Sequence, residues 1–92
     1  MTKQHVHESH AQIVKRLKRA EGHLHRVIEM FDDGRSCLDL AQQLHAVEKA
    51  IHEAKKHLIH DHIDNCLDAV AASPAHEARA PLDEFKAITK YL

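Results

Sequence analysis

The 92-residue chain has few of the residues that break helices or form the core of a sheet. It contains two Gly, two Pro, one Tyr and no Trp. A β-sandwich needs aromatic and β-branched strands joined by turns, so this composition argues against one. The abundant Leu, Ala, Glu and Lys favour an all-α fold. The length allows one domain, near the lower limit for a core that is stable without oligomerisation.

Long hydrophobic runs are also absent. No apolar segment approaches the length of a membrane span, and the first ten residues lack the apolar centre of a signal peptide. We therefore expect a cytoplasmic protein with no membrane partner. In a reducing compartment the two cysteines are expected to be metal ligands, sensors or core residues, not a disulfide. The sequence has no phosphate loop, HExxH motif or nucleophile–base pair, which argues against an enzyme.

Apolar residues recur at intervals of three and four along most of the chain, which is the pattern of amphipathic helices. The pattern predicts three helices, at about residues 11–33, 36–72 and 81–92. Gly34 is expected to end the first helix, Ser36 to cap the second, and Pro81 to lie in the first turn of the third. Residues 1–10 lack this periodicity and are predicted to form a flexible tail with several histidines, so residues 11–92 would form a single helical domain.

The second predicted helix contains candidate metal ligands. His62 and Cys66 are four positions apart, so they lie on one helix face and could clamp a soft or borderline metal, although each alone could be an ordinary core residue. Cys37 lies 29 positions before Cys66, roughly 43 Å along a helix, so these two thiols of one chain cannot share an ion. If two copies of the helix pack antiparallel about an axis near Ile51, Cys37 faces Cys66 of the partner subunit. An isologous dimer would then hold two identical sites.

Basic side chains concentrate on the first helix and midway along the second, whereas acidic side chains predominate later. The candidates for binding phosphate groups are Lys15, Arg16, Lys18, Arg19, Arg26, Lys49, Lys55 and Lys56. Repeated by the symmetry of an oligomer, they would form a broad positive surface for double-stranded DNA. No helix-turn-helix is evident, so recognition is expected to rely on phosphate contacts and DNA shape. The alternative is a solvent-exposed helix face with salt bridges.

Three segments resemble the CsoR/RcnR family of bacterial metal-responsive repressors. They are RLKRAEGHLHRVIEM (16–30), GRSCLDLAQQLHAVEKAI (34–51) and HLIHDHIDNCLDAV (57–70). The resemblance extends from about residue 8 to residue 92. It implies three helices per chain, an antiparallel four-helix-bundle dimer, and a homotetramer of two dimers. It also implies that Cys37, His62 and Cys66 are sensory ligands bridging two subunits, and that metal binding releases the operator DNA.

The signal that such a protein would sense has several candidates. Two thiolates and one imidazole suit Cu(I), which is the preferred prediction, whereas a further nitrogen from His5 would suit Ni(II). Formaldehyde sensors of the family have proline at position 2, where this chain has Thr2, and persulfide sensors lack the histidine present here as His62. Outside the family, the competing hypotheses are a cytoplasmic metal buffer or carrier and a helical assembly protein with inert cysteines.

Overall fold

A computed structural model describes the backbone of residues 7–92 and the side chains of residues 9–92. These residues contain three α-helices and no strand, which confirms the all-α prediction. The helices are α1 (His7–Asp32), α2 (Cys37–Ala72) and α3 (Arg79–Ile88), with short 3₁₀ turns at Ala75–Glu77 and Thr89–Tyr91. The chain divides into a first compact unit ending at Lys55 and a second unit, Lys56–Leu92. Within the described part of the chain, no helix combines the length and apolarity needed to cross a membrane.

The connection between α1 and α2 uses the two residues that the sequence analysis assigned to it. Gly34 has φ 72°, a left-handed conformation that residues with a Cβ atom adopt only at a cost. The next amide, that of Arg35, donates a hydrogen bond to the carbonyl of Met30 at 3.3 Å, as in a Schellman motif. Ser36 caps α2, because its Oγ accepts a hydrogen bond from the amide of Asp39 at 3.1 Å. Both predicted helix ends are confirmed.

The core of the first unit repeats every seven residues. Its buried positions are Ile13, Ala20 and Val27 on α1 and Leu40, Val47 and Ala54 on α2. A seven-residue repeat keeps one face of a helix directed at its neighbour, as in coiled-coil packing. The connection of four residues makes the two helices antiparallel neighbours. A hydrogen bond of 2.7 Å between His23 Nε2 and Gln43 Oε1 links them.

A row of large apolar side chains beside this core remains exposed in the single chain. Its members in the first unit are Leu17, Leu24, Ile28 and Phe31 on α1 and Leu44 and Ile51 on α2. Ile51, the residue at the predicted two-fold axis, is 47% exposed. Several large apolar side chains exposed on a pair of helices commonly mark an interface with another protein chain.

The second unit contains the end of α2 and all of α3. Among its described residues, Ile59 and Cys66 are the buried apolar positions. α2 ends at Ala72, two residues before Pro74, as predicted. Pro81 is the third residue of α3, where a missing amide costs no hydrogen bond within the helix. This placement in the first turn is also confirmed.

Three helix boundaries differ from the prediction by two or more residues: the start of α1 and both ends of α3, which was predicted to begin at residue 81. α1 begins at His7 instead of residue 11, because apolar periodicity marks where burial starts, and a helix can extend beyond its buried face. α3 covers Arg79–Ile88 and then tightens into a 3₁₀ turn, whereas the prediction continued the helix to residue 92. Leu92, the last residue of that predicted helix, is 63% exposed. Residues 1–6 of the predicted tail lie outside the described residues.

Candidate metal centre and basic groove

Two of the predicted metal ligands, His62 and Cys66, lie on adjacent turns of α2. No Gly or Pro interrupts this helix, so the four-residue spacing places both side chains on one face. Cys66 is only 3% exposed. The side chain of His62 is 32% exposed. Adjacent turns of α2 therefore present a buried sulfur beside a partly exposed imidazole.

Glu84 on α3 joins these two residues. Its Oε1 atom lies 3.6 Å from Nε2 of His62 and 4.0 Å from Sγ of Cys66. The three potential ligand atoms all lie within 4.8 Å of one another. Glu84 was not predicted as a ligand from the sequence, because 18 positions and a helix break separate it from Cys66. No short-range spacing pattern could have revealed this contact.

The environment of Cys66 raises the pKa of its thiol above the ordinary value of 9.0. The main cause is burial, which removes the hydration of the thiolate, and the second is the negative charge of Glu84. The Glu84 side chain is 63% exposed, so water screens part of its effect. Cys66 is therefore a neutral thiol at pH 7, and a metal ion must displace its proton to gain a thiolate ligand.

Cys37 is not a member of this group. It is the first residue of α2, it is exposed, and it belongs to the first unit. His62, Cys66 and Glu84 all belong to the second unit. The structure therefore brings together two of the four predicted metal ligands and adds a carboxylate. The fourth predicted ligand, His5, lies outside the described residues.

Three of the predicted phosphate-binding residues line one groove between α1 and α2 in the first unit. The groove has a volume of about 330 Å³ and is lined by Arg16, Arg19, Ala46, Lys49, Ala50 and Glu53. Arg16 and Arg19 are three positions apart, so they share one side of α1. Glu53 adds an acid that the sequence analysis had not singled out. The other predicted residues are exposed but do not line the groove: Lys15, Lys18, Arg26, Lys55 and Lys56.

A small all-α chain with a basic groove and a thiol–imidazole group has the features of a metal-regulated DNA-binding protein. The model of a family described as metal-sensitive transcriptional repressor matches residues 9–91. The chain belongs to this family, which confirms its resemblance to the CsoR/RcnR repressors. The members of the family are repressors and not enzymes, as the sequence analysis had predicted for this chain.

Curated relatives have names that agree with this family. The chain is 37% identical over 81 residues to the copper-sensing transcriptional repressor CsoR of Bacillus subtilis, covering 86% of this chain and 80% of that protein. It is 31% identical over 78 residues to the protein of the same name from Mycobacterium ulcerans, with coverages of 85% and 65%. It is 29% identical over 73 residues to the copper-sensing transcriptional repressor RicR of Mycobacterium tuberculosis, with coverages of 79% and 76%. No solved structure gives a significant match.

Proposed function

We propose that the chain is a copper-responsive repressor that binds double-stranded operator DNA and releases it when Cu(I) binds. The observation that supports this best is the pairing of a thiol with an imidazole, Cys66 and His62, on one face of α2. Thiolate sulfur and imidazole nitrogen suit the soft Cu(I) ion, whereas carboxylates suit harder cations. The curated relatives, which are named as copper-sensing repressors, support the same metal. Because a repressor acts where the chromosome is, the proposal places the chain in the cytoplasm.

The proposed Cu(I) site is shared between two subunits. Of the three clustered residues of the second unit, His62 and Cys66 offer the ligand types that Cu(I) prefers, whereas Glu84 does not. Cys37 is the remaining thiol, and we assign it to the site formed by His62 and Cys66 of a neighbouring subunit. The exposed apolar row around Ile51 supports this arrangement, since burying that row against a second α2 would stabilise an antiparallel dimer. Two such dimers would form the proposed tetramer.

Glu84 is proposed to position His62 for Cu(I). Its Oε1 atom is 3.6 Å from Nε2 of His62, so a small movement would allow an Nε2–H group to donate a hydrogen bond to the carboxylate. A histidine that binds a metal through one ring nitrogen usually donates a hydrogen bond from the N–H group of the other nitrogen, which fixes the tautomer and the ring orientation. Nδ1 of His62 would then be the nitrogen that faces the Cu(I) ion.

Operator binding is assigned to the first unit. Arg16, Arg19 and Lys49 place positive charge along one groove, and Lys15, Lys18, Arg26 and Lys55 are exposed basic side chains of the same unit. Each basic side chain that neutralises a phosphate releases counterions, so affinity for DNA should fall steeply as the salt concentration rises. A metal that ties Cys37 to ligands of another subunit would fix the spacing between grooves of different subunits. A coupling free energy of roughly 1–3 kcal/mol would be enough to switch transcription.

Fluorescence anisotropy with a duplex selected from random sequences by the metal-free protein would test this function. We expect the reduced, metal-free protein to bind the duplex, and anaerobic addition of Cu(I) to weaken binding by roughly 5- to 150-fold. A parallel titration with Ni(II) tests the other predicted metal. Arg16→Ala should weaken binding and lower the slope of log affinity against log salt by about one phosphate contact. Arg79→Ala, which removes an exposed arginine of α3, is the matched control. Operator affinity that does not respond to Cu(I) would contradict the proposal.

A further inference from the structure

We propose that His62, Cys66 and Glu84 also form a site for a divalent cation of the Zn²⁺ class within a single subunit. This inference goes beyond the proposed Cu(I) site, because it requires neither Cys37 nor a partner subunit. The three residues offer one nitrogen, one sulfur and one carboxylate oxygen. This is a ligand set that Zn²⁺ accepts in proteins, whereas a carboxylate is a poor ligand for Cu(I).

The ligand atoms are already close to the spacing that Zn²⁺ needs. Bonds of roughly 2.0–2.3 Å in a tetrahedral site place neighbouring ligand atoms about 3.3–3.8 Å apart. Oε1 of Glu84 is 3.6 Å from Nε2 of His62 and 4.0 Å from Sγ of Cys66. The third distance, between His62 and Cys66, is no more than 4.8 Å. Side-chain movements of about 1 Å or less would therefore bring all three atoms to a common ion.

The charges of the three ligands match a divalent ion. Cys66 would bind as a thiolate after releasing its proton to solvent, Glu84 as a carboxylate, and His62 as a neutral imidazole through Nε2. The two negative ligands balance the charge of Zn²⁺. The surroundings favour cations as well, since residues 56–92 contain six acidic and four basic side chains.

The exposure of the ligands also fits a binding site. Cys66 is buried, whereas the side chains of His62 and Glu84 are 32% and 63% exposed, so a cation in solvent can reach two of the three ligands directly. Water could occupy the fourth position, as in zinc sites with three protein ligands. Two ligands come from one helix and the third from its neighbour in the same unit. The two proposed sites thus use opposite nitrogens of His62 and different additional ligands, Cys37 of another subunit for Cu(I) and Glu84 for Zn²⁺.

The test uses the full-length Cys37→Ser protein, reduced and metal-free, titrated anaerobically with Co²⁺ as a coloured substitute for Zn²⁺. We expect a thiolate-to-cobalt charge-transfer band and the intense visible bands of tetrahedral Co²⁺, saturating at one ion per chain. Addition of Zn²⁺ should remove both signals. Absence of the charge-transfer band in this variant would overturn the proposal.

The Glu84→Gln and Glu77→Gln changes, each made in the Cys37→Ser protein, identify the third ligand. Glu77 is a matched control, because it also contacts a histidine, His76, at 3.4 Å in the second unit. We expect Glu84→Gln to weaken Co²⁺ binding by at least about tenfold and Glu77→Gln to leave it unchanged, with circular dichroism verifying the fold of both. Equal Co²⁺ affinities of the two variants would overturn the assignment of Glu84. These readouts are independent of the Cu(I) response of the operator complex, so the two proposals can fail separately.

Discussion

The two compact units of the chain differ in charge and in the nature of their buried residues. Residues 1–55 contain nine basic and eight acidic side chains, whereas residues 56–92 contain four basic and six acidic ones. In the described part of the first unit, every buried apolar residue is a hydrocarbon side chain in a seven-residue repeat. In the second unit the buried residues are Ile59 and, seven positions later, Cys66. The second unit thus has a thiol at a type of position where the first unit has only hydrocarbon side chains.

Because of this difference, we expect substitutions in the two units to have different effects on stability and on metal binding. A change in the heptad core of the first unit should affect stability and leave the metal-binding residues intact. A change at Cys66 should remove a metal ligand and cost less stability, because the side chain is small. The distinction matters for the family, since a repressor needs a rigid scaffold for its DNA contacts and a responsive centre for its metal.

The largest expected effect is the loss of stability in Val27→Ala, which should exceed the loss in Cys66→Ala. Val27 is 1% exposed, so its truncation leaves a cavity and should lower the free energy of unfolding by about 2 kcal/mol. Cys66→Ala should lower it by about 1 kcal/mol and also abolish Co²⁺ binding, which Val27→Ala should retain. Urea denaturation at a fixed protein concentration measures both free energies. A larger loss for Cys66→Ala would contradict the comparison.

A smaller effect is expected in the reactivity of the two thiols toward iodoacetamide. Only the thiolate reacts, and both the burial and the raised pKa of Cys66 lower its reactive fraction, so Cys37 should be alkylated at least about tenfold faster at pH 8. Glu84→Gln removes the lesser cause of the raised pKa and should accelerate the reaction of Cys66. Peptide mass spectrometry measures the two rates. Equal rates in the unmodified sequence would show that the environment of Cys66 is not protective.

The raised pKa of Cys66 also fixes the sign of a pH effect on stability. A folded state that holds the thiol proton more tightly than the unfolded state binds more protons at alkaline pH. Its contribution to stability is therefore complete below the ordinary thiol pKa of 9.0 and is lost as pH rises through the higher pKa of the folded protein. Cys66→Ala should flatten the decline in stability above pH 9.

Local features of the fold were predictable from the sequence because they depend on neighbouring residues. Gly34, Ser36 and Pro81 act within one turn of their own position, and the pairing of His62 with Cys66 follows from helix geometry alone. The start of α1 was not predictable in the same way, since its first turn lies outside the periodic pattern of buried residues.

Features that depend on contacts between helices were only partly predictable. Arg16 and Arg19 share a helix face, so their convergence was visible in the sequence, but the presence of Glu53 in the same groove depends on the packing of α1 against α2. Glu84 was missed for the same reason, because its contact with Cys66 spans 18 positions. Glu84, the ligand present only in the proposed Zn²⁺ site, could therefore be identified only from the three-dimensional structure.

The most direct test of the account is whether two defective chains can restore one Cu(I) site. Cys37→Ser and Cys66→Ser chains with different affinity tags would be expressed together, and the mixed oligomer purified through both tags. If Cys37 of one subunit binds metal with His62 and Cys66 of another, each mixed dimer should hold one tightly bound Cu(I), resistant to a competing chelator. Each variant alone should hold none. Failure of the mixed oligomer to retain Cu(I) would contradict a site shared between subunits.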